Sequence, residues 1–316
     1  MPLFNSVMRR AFRIACVAAL TAGAVVIPIS ASTSSASPRH GDDRGGTYLA
    51  LGDSVAFGYV PSTARPAPNY ANQRSFISYA NYVAWDYGVR VSNPSCPGET
   101  TASMLNVSAQ SNGCENSFVG GASVPQGYRT LYPLHVRYQG SQIAYAVKFL
   151  TVHKHTRFVT IDVGANDAFL CQVMTSDGCT STGELTNVGN EIATNLSAIY
   201  TQIRQVYSGP IVALDYYSLD YNSPVDNATS AFLNSVIAKV TTAYGGVVAD
   251  GFGAFEAASG TGLNPCTAGL LIPVPGGCNI HPSHLGHQVL AQAIESALAG
   301  AGVQPTRWHH FHSKRH

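Results

Sequence analysis

Five short runs dominated by apolar residues recur along the chain: Thr47–Gly52 (TYLALG), Val89–Ser92 (VRVS), Arg157–Gly164 (RFVTIDVG), Gly209–Tyr217 (GPIVALDYY) and Gly245–Asp250 (GGVVAD). Their apolar positions are continuous rather than alternating, which is the pattern of strands covered on both faces. Between them, apolar residues return at spacings of three and four. Val188, Ile192, Leu196, Ile199, Ile203 and Val206 form one such series. Ile143, Val147 and Leu150 form a second, and Leu285, Val289, Ala293, Ile294 and Leu298 a third. These spacings predict amphipathic helices. Strands alternating with helices require crossover connections, so the pattern predicts an α/β fold with a central five-stranded parallel sheet. Pro61–Asn72, Cys96–Gly140 and Ala257–Gly277 read as long loops. Such loops at strand ends carry binding surfaces. Tyr and Phe are frequent in the first two, where they either line an apolar acyl or aryl pocket or simply pack the loops together. There is no internal repeat and no sign of a second domain.

The start of the chain departs from this pattern. Arg9, Arg10 and Arg13 precede an apolar run from Ile14 to Ile29, and the stretch ASTSSAS then offers a cleavage site at Ser34-Ser35-Ala36. This predicts a secretory signal over residues 1–36, and hence a secreted protein. A membrane anchor is the competing reading, but the run is short and contains Thr21 and Pro28. Cys16 opens the run, whereas a lipidated cysteine would follow it. Residues 37–46 read as a flexible lead-in, 47–303 as one catalytic-sized domain, and 304–316 as a basic, His-rich, solvated tail. A metal-binding role for that tail is the lesser reading. Removing the signal takes away three Arg and no acid, so the formal charge moves from +1 to −2. A balance so near neutral gives no electrostatic footing for nucleic acid. The expected state is a monomer with at most transient contact with a lipid surface.

Six cysteines remain beyond the signal: Cys96, Cys114, Cys171, Cys179, Cys266 and Cys278. An even count in an exported chain points to disulfides. The residues fall into three near pairs, which predicts Cys96–Cys114, Cys171–Cys179 and Cys266–Cys278. Zinc is disfavoured because no CxxC pair is present.

Three segments carry candidate chemistry: LALGDSVAFG (Leu49–Gly58), DVGAND (Asp162–Asp167) and NIHPSHLGH (Asn279–His287). Ser54 follows the first strand, at the carboxyl edge of a parallel sheet, where ligands bind. Ser is a poor nucleophile until a base takes its proton, and a distant His is the usual base. His281 is the candidate. It precedes Pro282, which suits a first helical position and places His281 in the loop feeding the last helix. Asn166 offers an amide donor for an oxyanion. Each has a plainer alternative: Ser54 as a helix cap, Asn166 as a turn residue. Asp167 reads as a partner for local backbone N–H groups. His281, His284 and His287 suggest a metal cluster only weakly, since there is no His-Glu-x-x-His pattern and no acidic ligand nearby. No metal and no cofactor are expected. His135, His153 and His155 read as surface or packing residues. Because Ala56 stands two residues after Ser54, the block is not the Gly-x-Ser-x-Gly elbow of α/β-hydrolases.

The LALGDSVAFG block resembles the first motif of the GDSL or SGNH hydrolase family, with further motifs in the family's order across residues 47–300. The resemblance implies a three-layer α/β/α, flavodoxin-like fold and a Ser nucleophile at Ser54. NPSCPGETT (Asn93–Thr101) looks like the second block, making the Gly98 N–H an oxyanion donor. Gly164-Ala165-Asn166-Asp167 matches the third, with Asn166 as side-chain donor, and the last block's His matches His281. The Ser54 N–H would complete the oxyanion hole. The family carries an Asp two or three residues before this His, whereas this chain has Asn279 and Cys278 there. A backbone carbonyl can set the imidazole tautomer, and the Cys278 carbonyl is the favoured orienter, with the Asn279 side chain second. What the resemblance implies is a secreted esterase or lipase acting on lipid or short aryl or alkyl esters. A carbohydrate acetylesterase is the alternative within enzymes, and an inactive binding protein of the same fold is the alternative outside them.

Overall fold

All five apolar runs form strands of one parallel sheet in the computed structural model, which describes residues 46–306. The expected signal over 1–36, the lead-in up to residue 45 and the tail from residue 307 lie outside the described residues. In chain order the strands are β1 (Thr47–Gly52), β2 (Arg90–Ser92), β3 (Ser117–Val119), β4 (Ala122–Val124), β5 (Thr156–Asp162), β6 (Ile211–Leu214), β7 (Val247–Ala249), β8 (Leu271–Val274) and β9 (Gly277–Pro282). The helices are α1 (Ser54–Phe57), α2 (Tyr79–Tyr87), α3 (Thr101–Leu105), α4 (Tyr128–Leu131), α5 (Gln142–Val152), α6 (Ala165–Met174), α7 (Thr182–Arg204), α8 (Pro224–Ala243), α9 (Gly251–Ala258) and α10 (His284–Gly300).

The sheet order is β2-β1-β5-β6-β7, with β3–β4 and β8–β9 as separate antiparallel hairpins. Every residue of β1 is buried. Tyr48 and Ala50 face one helical layer, built from α2, α9 and α10. Leu49 and Leu51 face the other, built from α3, α5, α7 and α8. The result is the expected three-layer α/β/α sandwich. The series in α7 explains its place: Ile192, Leu196, Ile199 and Ile203 are all buried, while Ser181 caps the helix by accepting the Glu184 N–H at 3.2 Å.

The structure corrects several details. The strands read over 157–164 and 209–217 stop at Asp162 and Leu214, because the chain leaves the sheet there to build loops at its carboxyl edge. Val206 lies beyond α7, and Leu285 is exposed on α10, where His287 takes a core position instead. The loop over 96–140 contains α3, α4 and the β3–β4 hairpin. His281 and Pro282 belong to β9, not to a helix start: α10 begins at His284, capped by Ser283.

The expected disulfides form: Cys96–Cys114, Cys171–Cys179 and Cys266–Cys278. Among the described residues no helix is long and apolar enough to cross a membrane.

Candidate active site

The turn after β1 is shaped by close backbone contact. Gly52 has φ +149°, and a Cβ there would lie 2.3 Å from the Asp162 carbonyl oxygen. Only glycine lets β1 and β5 converge so tightly at this point. Gln142, at the start of α5, clamps the turn from below. Its Oε1 accepts the Gly52 N–H at 2.7 Å and its Nε2 donates to the Gly52 carbonyl at 3.0 Å. Asp53 then caps α1, its Oδ1 accepting the Val55 N–H at 2.9 Å. Ser54 is the first residue of α1 and is half-buried at the sheet's carboxyl edge. Among the described residues neither its hydroxyl nor its backbone N–H has a hydrogen-bond partner.

Asp53 ties Ser54 to Asn166. Asn166 sits in the first turn of α6, which follows β5, and its Nδ2 donates to Asp53 Oδ2 at 3.1 Å. The Tyr216 hydroxyl donates to the same oxygen at 2.8 Å. Burial raises Asp53 to about 6, with the hydrogen bonds from Val55, Tyr216 and Asn166 opposing. Asp53 is therefore a carboxylate at neutral pH and an acceptor for all three. Gly98 has φ +83°, and its N–H has no acceptor among the described residues. The structure thus leaves unspent donors at Ser54, Gly98 and the second hydrogen of Asn166 Nδ2.

His281 is carried by β9, which lies against α1. The ring packs edge-on against Tyr59, centroids 4.9 Å apart. The Tyr59 N–H in turn donates to the Ser54 carbonyl at 2.9 Å, which links the imidazole to the serine turn. Nδ1 meets Asn279 Oδ1 at 2.5 Å. The expectation of a Cys278 carbonyl orienter is corrected here. Asn279 turns its side chain back along β9, and the same Oδ1 accepts the His281 backbone N–H at 3.2 Å. An N–H cannot donate to an amide nitrogen, so this second bond identifies the oxygen. Nδ1 therefore carries the proton, and the Nε2 lone pair remains free, as a base requires. Burial pushes His281 down to about 4, so the ring is neutral at pH 7. Among the described residues no hydrogen bond joins Ser54 Oγ to His281. Such contacts are commonly long without substrate and tighten in the reacting complex.

The other candidates fall elsewhere. Asp167 accepts from Thr101 as well as from its own backbone N–H: the Thr101 N–H lies 3.0 Å away and its Oγ1 2.5 Å. It fastens α6 to α3. His287 is buried, its Nδ1 accepting the Tyr79 N–H at 3.3 Å. His284 meets the Tyr82 hydroxyl at 3.3 Å. Among the described residues the one acidic and thiol cluster of metal-binding size is Cys96, Glu99 and Cys114, and its two sulfurs are joined in a disulfide. Tyr59, Gln142 and Asn112 contribute contacts at the site that the motifs do not signal. All three lie outside the motif blocks.

A half-buried serine at the edge of a parallel sheet, flanked by free donors and a neutral imidazole, is an arrangement chemically suited to acyl transfer. The chain belongs to the GDSL-like lipase/acylhydrolase family, whose model matches residues 50–289, and it is accordingly a carboxylic ester hydrolase. No curated protein matches it by sequence. Among solved structures it resembles an extracellular lipase from Streptomyces rimosus at 20% identity and a TM-score of 0.50, over 80% of this chain and 99% of that one. It also resembles a catalytic mutant of Axe2, an acetylxylan esterase from Geobacillus stearothermophilus, at 16% identity and a TM-score of 0.50, over 84% and 97%. A third likeness is LAE5, an alpha/beta hydrolase enzyme from the metagenome of Lake Arreo, at 16% identity and a TM-score of 0.50, over 82% and 95%. At such identities the likeness is one of fold.

Proposed function

We propose that this protein is a secreted esterase or lipase that cleaves apolar esters through a Ser54–His281 acyl-enzyme mechanism. Ser54 Oγ attacks the ester carbonyl carbon while His281 Nε2 takes its proton. The Ser54 N–H, the Gly98 N–H and Asn166 Nδ2 donate to the oxyanion, where each donor is worth roughly 3–4 kcal/mol. His281 returns the proton to the departing alcohol. Water, deprotonated by the same nitrogen, then hydrolyses the acyl-enzyme and restores the serine. Asn279 holds the imidazole in the required tautomer in place of an acid.

The observation that carries this reading is the free Nε2 lone pair of a neutral His281, on a strand packed against the Ser54 turn. The preference for apolar esters over acetylated sugars rests on the aromatic side chains beyond His281. Tyr59 lies 6.1 Å from Tyr70, and Tyr70 lies 5.0 Å from Tyr132, centroid to centroid. Tyr132 is 39% exposed and its neighbour Leu131 60% exposed, so an apolar lane runs from the imidazole to the surface. Secretion is supported by the leader-like start and the three disulfides.

A fluorophosphonate probe tests the mechanism. Wild-type protein is expected to be labelled at Ser54 and Ser54→Ala to escape labelling. A folded wild type that takes no label would show an inactive binding protein. Aryl esters of graded chain length test the substrate: medium or long acyl chains are expected to exceed acetate in kcat/KM, and a sharp acetate preference would favour the acetylesterase.

A further inference from the structure

Gly98 and Asn166 come from separate parts of the chain, and one residue touches both. The Asn112 backbone N–H donates to the Gly98 carbonyl at 2.8 Å. The Asn112 carbonyl oxygen lies 2.5 Å from where a Gly98 Cβ would stand, so the left-handed turn at Gly98 closes directly on Asn112. The side chain reaches the other way, its Nδ2 donating to Asn166 Oδ1 at 2.9 Å.

We propose that Asn112 is a positioning residue that aims the Asn166 amide at the oxyanion and ties it to the Gly98 turn. The proposal rests on the oxyanion reading given above. Its logic is the donor and acceptor inventory of an amide, with one oxygen and two N–H groups. Asn166 Oδ1 is taken by Asn112, and one Nδ2 hydrogen is given to Asp53 Oδ2 at 3.1 Å. Inverting the amide would set its NH2 against the Asn112 NH2, and its oxygen against the Asp53 carboxylate. Both ends therefore enforce one orientation, and the remaining N–H points away from both partners.

The frame around Asn112 is itself braced. Gly98 lies two residues after Cys96 and Asn112 two before Cys114, and those cysteines are bonded. The disulfide holds the two stretches face to face. Nearby, Ser111 Oγ donates to the Asn116 carbonyl at 2.6 Å, and the Ser111 N–H donates to Asn116 Oδ1 at 2.8 Å. Asn112 thus projects from a loop whose own polar groups are occupied.

Steady-state kinetics with each enzyme normalised to its fluorophosphonate-titrated sites test this. Losing a single oxyanion donor costs about 10²–10³ in kcat. Asn112→Ala, which leaves the donor present but unaimed, is expected to lower kcat about 10- to 100-fold with KM within about threefold. Asn112→Asp is expected to cost more, because a carboxylate there attracts the Asn166 NH2 and turns its oxygen toward the oxyanion. This second variant stays close in shape should the alanine form fold poorly. In an Asn166→Ala background, Asn112→Ala is expected to change kcat by less than about twofold, since the two act through one interaction. Wild-type kcat in both Asn112 variants, or an undiminished loss in the Asn166→Ala background, overturns the proposal. Wild-type kcat in Asn166→Ala alone overturns the oxyanion reading and the proposal with it.

Discussion

The proposed base, His281, has no anion behind it. Its Nδ1 meets a neutral amide at 2.5 Å, and burial holds it near 4, below the ordinary histidine value. A base must be unprotonated to act, so activity is lost only as pH falls through its own pKa. The acid limb of kcat/KM is therefore expected well below pH 6.5. Asn279→Asp puts a carboxylate beside Nδ1, stabilises the imidazolium and is expected to move that limb to higher pH. Asn279→Ala leaves Nδ1 unpartnered and is expected to lower kcat about 10- to 100-fold, no more than the lower end of the 10²–10⁴ that general base catalysis supplies. A pH–rate profile of the three enzymes decides it; a wild-type limb near 6.5 would contradict the account. At this scale the motifs named Ser54, Asn166, Gly98 and His281 as candidates from type and order alone. They ranked Asn279 below the Cys278 carbonyl, because whether a side chain folds back on its own strand depends on rotamer and packing. Asn112 left no mark in the sequence, since its contact with Asn166 spans 54 positions.

The β8–β9 hairpin is the element that carries the proposed base. Leu271 pairs with Pro282, Cys266–Cys278 staples its approach, and the Tyr217 hydroxyl donates to the Ile280 carbonyl at 2.7 Å. Replacing Cys266 and Cys278 together by Ser is expected to destabilise the protein by about 2–3 kcal/mol, as for a loop of this size, and to lower kcat as His281 loses its fixed position. Denaturant titration and turnover measured on the same preparation check both; an unchanged midpoint would mean the bond is not structural. The hairpin was legible in principle. LIPV and CNIHP flank Pro275-Gly276-Gly277, a strong turn signal, but Pro282 reads equally well as a helix start. Helix α8 was hidden for a different reason. Its buried residues are Leu233, Ile237, Val240 and Thr241, while Val225 and Phe232 are exposed, so its apolar stripe is blurred.

Across the whole molecule, the five strands follow from continuous apolar runs and their helical covers from apolar residues at spacings of three and four, patterns that tertiary packing did not override. The buried acids do not follow from pattern at all. Burial raises Asp167 to about 7, and raises Asp162 and Glu99 well above the ordinary carboxyl range. A carboxyl whose pKa is higher folded than unfolded binds more protons when folded, so its contribution falls as pH rises between the two values. His281 and His287, lowered to about 4 and about 3, have the opposite sign, but only below 6.5, where the unfolded imidazole is charged. Between pH 6.5 and 8 the acids act alone. The melting temperature is therefore expected to fall over that interval, and a calorimetric series showing a rise would refute the assignment of these groups.

The central sheet contains no cysteine, whereas the loop that holds Asn112 and the segment that leads to His281 are each closed by a disulfide. Assembly and competence are therefore separable events. A reduced chain is therefore expected to keep its strands and helices yet turn over more slowly until oxidised, which circular dichroism and turnover measured before and after oxidation check.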